Sequence, residues 1–187
     1  MIFNLCKKIY RFYAMLVALP FLLLTRFVSY IYVSELISLF PFRFGELVRY
    51  YFYKFSLVSC GEDVVIHFGA IISYPDVTIG NNVSIGTFNV FGHVDIGDHT
   101  LTAQGCHFLS GSQHHGFDDI TIPIKYQAGK PGRIKLGPDI WIGANCTVMA
   151  DIGHGCVIGA GSVVTKPIPD WAVAAGNPAT IIRMRNK

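Results

Sequence analysis

The sequence predicts an all-β fold, a parallel β-helix of hexapeptide repeats, behind a hydrophobic helical segment associated with a membrane. Three observations carry that expectation. From Ile134 to Pro169 the chain reads IKLGPDIWIGANCTVMADIGHGCVIGAGSVVTKPIP, and Leu136-Gly137, Ile142-Gly143, Val148, Ile152-Gly153, Ile158-Gly159 and Val164 mark starts that recur mostly in sixes. Composition divides the same way: 16 of the 25 aromatic residues lie in residues 1–55, whereas 18 of the 19 glycines follow residue 60. Charge divides too, with residues 1–54 at net +5 and the remainder at −2. A fixed period means stacked units sharing one core. A period of six suits neither a helix nor an alternating strand. It suits a short strand and a tight corner, with the aliphatic residue inward and Gly, Ala or Asn where the corner needs positive φ. Three such sides close a triangular coil.

In chain order, residues 1–44 form the hydrophobic, membrane-anchoring helical segment. The basic, aromatic composition points to a membrane surface rather than to nucleic acid. The uncharged run between Arg11 and Arg26 has 14 residues, about 21 Å as a helix against about 30 Å of hydrocarbon, too short to cross alone. A second apolar run, FVSYIYVSELISLFPF, is broken by Glu35, and Pro20 and Pro41 are the expected bends or ends. The reading is a re-entrant or interfacial anchor, with Lys7, Lys8, Arg11, Arg26 and Arg43 reaching anionic lipid. A single tilted span with Arg26 snorkelling is the alternative. A signal peptide is disfavoured, because no small-x-small cleavage site follows the apolar core.

Residues 45–61 predict an amphipathic helix, with Leu47, Val48, Tyr51, Phe52 and Phe55 on one face and Glu46, Arg49, Tyr50, Tyr53 and Lys54 on the other. It would cap the first coil, whose open end exposes unpaired strand edges. The repeat domain then spans residues 62–187, with coils from near Val64. Its register is imperfect between Ile71 and Ile79, slips by one between Phe91 and Ile96, and shortens to four residues between Val148 and Ile152. These irregularities are read as shortened corners.

Between Ser110 and Arg133 the repeat disappears into SGSQHHGFDDITIPIKYQAGKPGR. A long irregular excursion from a regular solenoid reads as a binding loop, and His114, His115, Asp118 and Asp119 favour that. Transfer of an acyl group to a hydroxyl needs a base for the hydroxyl proton and donors for the oxyanion. Histidine titrates in the right range for the first task. Asp118 or Asp119 could orient the ring. Ser110 and Ser112 are conceivable nucleophiles, but neither sits in a G-x-S-x-G elbow.

WIGANC, IGAGSVVTKPIPDWAVAAGNPA and the basic tail resemble the carboxyl-terminal coils of the hexapeptide-repeat acyltransferases, among them the polysaccharide and sugar O-acetyltransferases. The likeness covers roughly two thirds of the chain. It implies a left-handed coil, against the usual right-handed crossover, and a homotrimer. It places the catalytic histidine in the loop, at His115 within His-Gly-Phe; His114 stands where the family more often has Asn. It implies acetyl-coenzyme A as donor, bound along Gly143, Ala144, Ala160 and Gly161. Trp141 would wall that groove, Lys166 and Arg183 would meet phosphates, and Asn177 and Pro178 would pack on the adenine.

The expected function is acetyl transfer to a sugar hydroxyl of a surface polysaccharide or its lipid-linked precursor. The site is at the inner membrane, facing the cytoplasm, with no metal and no nucleic acid. N-acetylation of an amino sugar and O-acetylation of a xenobiotic are alternatives. A γ-type carbonic anhydrase, zinc-bound through histidines such as His107, His114 and His115, ranks below them. The odd cysteine count, with no C-x-x-C pair, marks Cys106, Cys146 and Cys156 as reduced core fillers.

Overall fold

The computed structural model describes residues 2–111 and 114–186. Three helices, α1 (Ile2–Leu24), α2 (Tyr30–Ser38) and α3 (Phe42–Ser56), precede a solenoid of very short strands. The first coil holds β1 (Ser59–Cys60), β2 (Val65–Ile66) and β3 (Ile71–Ile72). The second holds β4 (Thr78–Ile79), β5 (Ser84–Ile85) and β6 (Val90–Phe91). The third holds β7 (Val94–Ile96), β8 (Leu101–Thr102) and β9 (His107–Phe108), and the fourth β10 (Ile134–Leu136), β11 (Trp141–Ile142) and β12 (Thr147–Val148). The fifth has β13 (Val157–Ile158) and β14 (Val163–Val164), and the chain closes with β15 (Ala172–Ala175) and β16 (Thr180–Met184).

These strands stack into three sheets: β1-β4-β7-β10, β2-β5-β8-β11-β13-β15-β16 and β3-β6-β9-β12-β14, called here the first, second and third faces. All pairs are parallel except β15 with β16, which turns back and closes the end of the second face. Each of β1 to β14 buries its last residue inward, β15 buries Ala172 and Ala174, and β16 buries none. Ile66, Ile85, Thr102, Ile142, Ile158 and Ala174 make one internal ladder, and Ile72, Phe91, Phe108, Val148 and Val164 make another. The Phe91 and Phe108 rings stack at 4.4 Å with 2° between planes. Inward positions on the first coil fall at Ile66 and Ile72, one residue beyond the aliphatic Val65 and Ile71, which are partly exposed.

The three corners obey different rules. Between the first and second faces a left-handed residue turns every coil: Asp63, Asn82, His99, Asp139, Gly155 and Trp171 all have φ between 54° and 66°. Between the second and third faces Gly69, Phe88, Gly105, Asn145 and Gly161 do the same. Both corners keep the six-residue step, as from Ile79 to Ile85 to Phe91. The corner from the third face back to the first has no such residue at a fixed place, only Gly111 at φ 78° in the long loop among the described residues, and no fixed length. Ile72 to Ile79, Phe91 to Ile96 and Val148 to Ile152 are its long, short and shortest versions, so the expected register slips are all variants of this one corner. Ile152 keeps the stack across the shortest version by bridging Leu136 and Ile168.

The helical segment departs from expectation in four ways. Pro20 neither ends nor breaks α1, which runs through it to Leu24; the proline is exposed there, so its missing N–H faces solvent. Helix α3 starts at Phe42 rather than Gly45 and ends at Ser56, with Pro41 preceding it. The solenoid begins at Ser59, inside the stretch assigned to the helix. Finally, α3 is rotated: Arg49, Tyr50 and Tyr53, placed on the polar face by pattern, are buried, while Phe55 is exposed.

The rotation has a physical cause. The first coil has no preceding coil to bond, and buried backbone groups need partners. Arg49 Nε donates to Ile66 O at 2.8 Å, and Nη1 donates to Phe40 O at 2.7 Å and Ser38 O at 3.2 Å. The Ile72 amide donates to Ser34 Oγ and Tyr53 Oη at 3.1 and 3.2 Å, and Gly69 N donates to Ser38 O. A purely apolar face could not have satisfied these groups. Burial pushes the Arg49 guanidinium down from its ordinary value, and Nη2 has no hydrogen-bond partner. No described helix is long and apolar enough to cross a membrane, which overturns the tilted-span alternative.

Candidate active site

The loop from Ser110 to Arg133 leaves the solenoid at the variable corner, after β9. Its two ends are tied by Gly132 N donating to Ser110 O at 2.7 Å. Ser110 is buried, and its hydroxyl accepts from the His93 amide at 2.8 Å. That structural duty removes it as a nucleophile; Ser112 lies outside the described residues. Farther out, an antiparallel bridge pairs His115 with Ala128. Gly129 packs against the His114 carbonyl, where a Cβ has no room. Gln127 cross-links the tip, its Nε2 donating to Asp119 O and Ile122 O, both at 2.7 Å.

This folding leaves a concavity of about 220 Å³ lined by His115, Gly116, Phe117, Asp118, Ala128, Gly129 and Lys130. His115 and Asp118 therefore share one space, whereas His114 is exposed outside it. The two aspartates separate by role. Asp119 is occupied by Thr121, accepting from its hydroxyl at 2.6 Å and its amide at 2.8 Å. The hydroxyl first, then the amide, hold its carboxyl below the usual range. Lys130 was not singled out by sequence; it reaches the concavity only because the His115–Ala128 bridge brings the return strand alongside.

The other expected residues divide among the edges of the prism. Gly143, Ala144, Ala160, Gly161, Asn177 and Pro178 follow strands of the second face and line the corner toward the third. Gly161 N donates to Ala144 O at 2.7 Å, and the space where a Gly161 Cβ would stand is open. Trp141 is 53% exposed on the second face, registered between Leu101 and Val157. Arg183 lies on β16 of the same face, opposite Val173. Lys166 is elsewhere: it follows β14, so it lies on the loop's own edge, two coils on. The described concavity around His115 contains none of these residues. Among the described residues, no three His, Cys, Asp or Glu side chains converge as a metal site, so His107, on the third face, does not join the loop histidines.

A parallel prism of hexads, interrupted once by a histidine-bearing loop, defines a hexapeptide-repeat solenoid. No protein-family model matches the chain. A Mycobacterium tuberculosis protein named as an acetyltransferase is 39% identical over 111 residues, 57% of this chain and 36% of that protein. An Escherichia coli K12 protein named as a colanic acid biosynthesis acetyltransferase is 32% identical over 131 residues, 67% of this chain and 68% of that one. The chain spans 36% to 55% of the length of the first curated relatives it matches. Among solved structures, a maltose O-acetyltransferase from Clostridium difficile 630 superposes with TM-score 0.74 at 24% identity, over 87% of this chain and 88% of that one. A Bacillus cereus N-acyltransferase, solved with dTDP-4-amino-4,6-dideoxyglucose and coenzyme A, gives TM-score 0.60 at 25% identity, over 69% and 74%. The chain belongs to the hexapeptide-repeat acetyltransferase family.

Proposed function

We propose that this protein moves an acetyl group from acetyl-coenzyme A to a sugar hydroxyl, with His115 as general base. The observation that carries the reading is the loop concavity, in which His115 stands with Asp118 and Lys130. The imidazole takes the hydroxyl proton as that oxygen attacks the thioester carbonyl. The C–S bond breaks as the tetrahedral centre collapses, and the imidazolium returns the proton to the thiolate. Lys130 offers a cation to the developing oxyanion, and Asp118 is the candidate to position the ring.

The corner lined by Gly143, Ala144, Ala160, Gly161, Asn177 and Pro178 is the proposed donor ledge, walled by Trp141, with Arg183 of the same face for phosphates and Lys166, on the loop's edge, brought to it from a neighbouring copy. Loop and ledge sit on different edges of one chain, which supports a homotrimer in which base and donor meet between neighbouring copies. The acceptor is a surface polysaccharide or its lipid-linked precursor, at the cytoplasmic side of the inner membrane; the name of the Escherichia coli relative supports the polysaccharide. A second reading, N-acetylation of an amino sugar, is favoured by the likeness to the dTDP-amino-sugar enzyme.

Acetyl-coenzyme A turnover over a panel of sugar and amino-sugar acceptors, with chelator present, tests both. Loss of transfer in His115→Ala but not in His114→Ala is expected. Full activity in His115→Ala would overturn the assignment of the base, and acetylation of amines alone would select the second reading.

A further inference from the structure

Helix α1 is apolar on its outward side as well as its buried one. Its buried face, with Ala14 and Ala18 fully covered, is part of the protein core. Its outward face carries Leu5, Ile9, Phe12, Tyr13, Leu16, Leu19 and Leu23, between 41% and 58% exposed. At about 100° per residue these seven fall within one third of the helix circumference. Phe27, Tyr32, Leu36, Leu39 and Phe42, in the turns and helix that follow, are exposed too. An exposed apolar stripe of this kind marks an interaction site.

The charge around it selects the occupant. Lys8 and Arg26 flank the stripe near its two ends. On the seam between α1 and α3, Lys7, Tyr10, Arg11, Arg43 and Leu47 line a concavity of about 180 Å³. Three cations thus meet in one hollow. The Arg11 guanidinium is held there by Nε donating to Tyr51 Oη at 3.2 Å. Two acids lie within reach: Asp63 lines the adjoining concavity with Arg11 and Arg43, and Glu62 feels the Arg11 charge while paired with Lys54. A second copy of this cationic face would repel the first, whereas an anionic leaflet complements it.

Resting on the membrane-attached reading above, we infer that the helical layer docks in the plane of an anionic leaflet. The α1 stripe enters the acyl boundary, and the Lys7–Arg11–Arg43 hollow holds a lipid headgroup phosphate. The test is flotation of the full chain with vesicles of phosphatidylcholine alone or with phosphatidylglycerol added, without acyl donor or acceptor. Anionic vesicles should bind at least about tenfold more strongly, with the excess lost at high salt. Leu16→Glu and Arg43→Glu, both at exposed positions, should each weaken binding by about tenfold or more while melting as the wild type does. A fluorophore on Cys6, the one exposed cysteine among those described, should shift to the blue on anionic vesicles.

Equal binding to neutral and anionic vesicles, or an unaltered Arg43→Glu, would overturn the headgroup site. Self-association abolished by Leu16→Glu, with no vesicle binding, would give the stripe to a second copy. Competition by inorganic phosphate with no vesicle binding would make the hollow a free-anion site. Failure here leaves acetyl transfer to a water-soluble sugar untouched, and failure of that activity leaves vesicle binding standing.

Discussion

Replacing Arg49 by Met tests whether the helical layer holds the first coil by polar capping. The side chain is fully buried and supplies three hydrogen bonds, to Ile66 O, Ser38 O and Phe40 O. Methionine fills similar space and removes a buried charge, which by itself relieves a desolvation cost. Against that relief, three carbonyls lose a charged donor; Ser38 O keeps the Gly69 amide, so Ile66 O and Phe40 O are the two left unsatisfied, at about 1–3 kcal/mol each in the interior. The carbonyls should win, since they belong to backbone that cannot turn to water without opening the first coil. The expected net loss is about 2–4 kcal/mol, or roughly 5–15 °C in melting temperature for a domain of this size. Arg49→Lys should cost less, because an ammonium can still reach one or two of the acceptors. Urea and thermal unfolding followed by far-UV dichroism provide the measurement. A loss below about 0.5 kcal/mol for Arg49→Met would refute the capping argument and leave α3 an ordinary apolar cover.

Other consequences can be checked directly. His115→Ala should lower kcat by about 100-fold or more, and His114→Ala by only a few-fold, measured by thiol release from acetyl-coenzyme A. Gly161→Ala meets open space but a φ of +70°; it should cost about 1 kcal/mol of stability and raise KM for acetyl-coenzyme A if that corner is the ledge. Asp119 has its carboxyl held low by Thr121, so its contribution to loop order is present above the ordinary carboxylate range and is lost as pH falls through the lowered value. The protection of the Thr121 amide, its exchange rate relative to the intrinsic rate at each pH, should therefore fall in acid, and Asp119→Ala should remove that pH dependence. Native protein should react with a thiol reagent at Cys6 alone, because Cys60, Cys106, Cys146 and Cys156 are buried; unfolded protein should react at all five.

The structure also bears on how the anchor can be tested. Removing residues 1–44 would take away Ser34, whose hydroxyl meets the Ile72 amide, and the Ser38 and Phe40 carbonyls that Arg49 engages. Loss of activity after that truncation would report an opened coil as readily as a lost membrane, and point substitutions on the outward face of α1 avoid the confusion.

The repeats were legible from the chain because a hexad is a local rule: an inward aliphatic residue and a corner residue six apart need no distant partner to be recognised. The loop was legible as the place where that rule stops, and His114, His115, Asp118 and Asp119 as its titratable residues; that His115 and Asp118 line one concavity was not. Corner identity was not legible, since a five-residue step and a four-residue step look like errors until the three faces are assembled and all fall on one edge. Helix α3 misled for a related reason. Its pattern ranks Arg49 and Tyr53 as polar, but which face is buried is decided by the open carbonyls and amides of a coil that follows it in sequence. The separation of Lys166 from Gly143 and Ala160 has the same origin, because residues a few positions apart pass around a corner onto another edge. What the amino-acid order determines here is the period, the interruption and the residues available. What only the assembled prism decides is which of them face one another, since every such meeting depends on coils stacking across tens of residues.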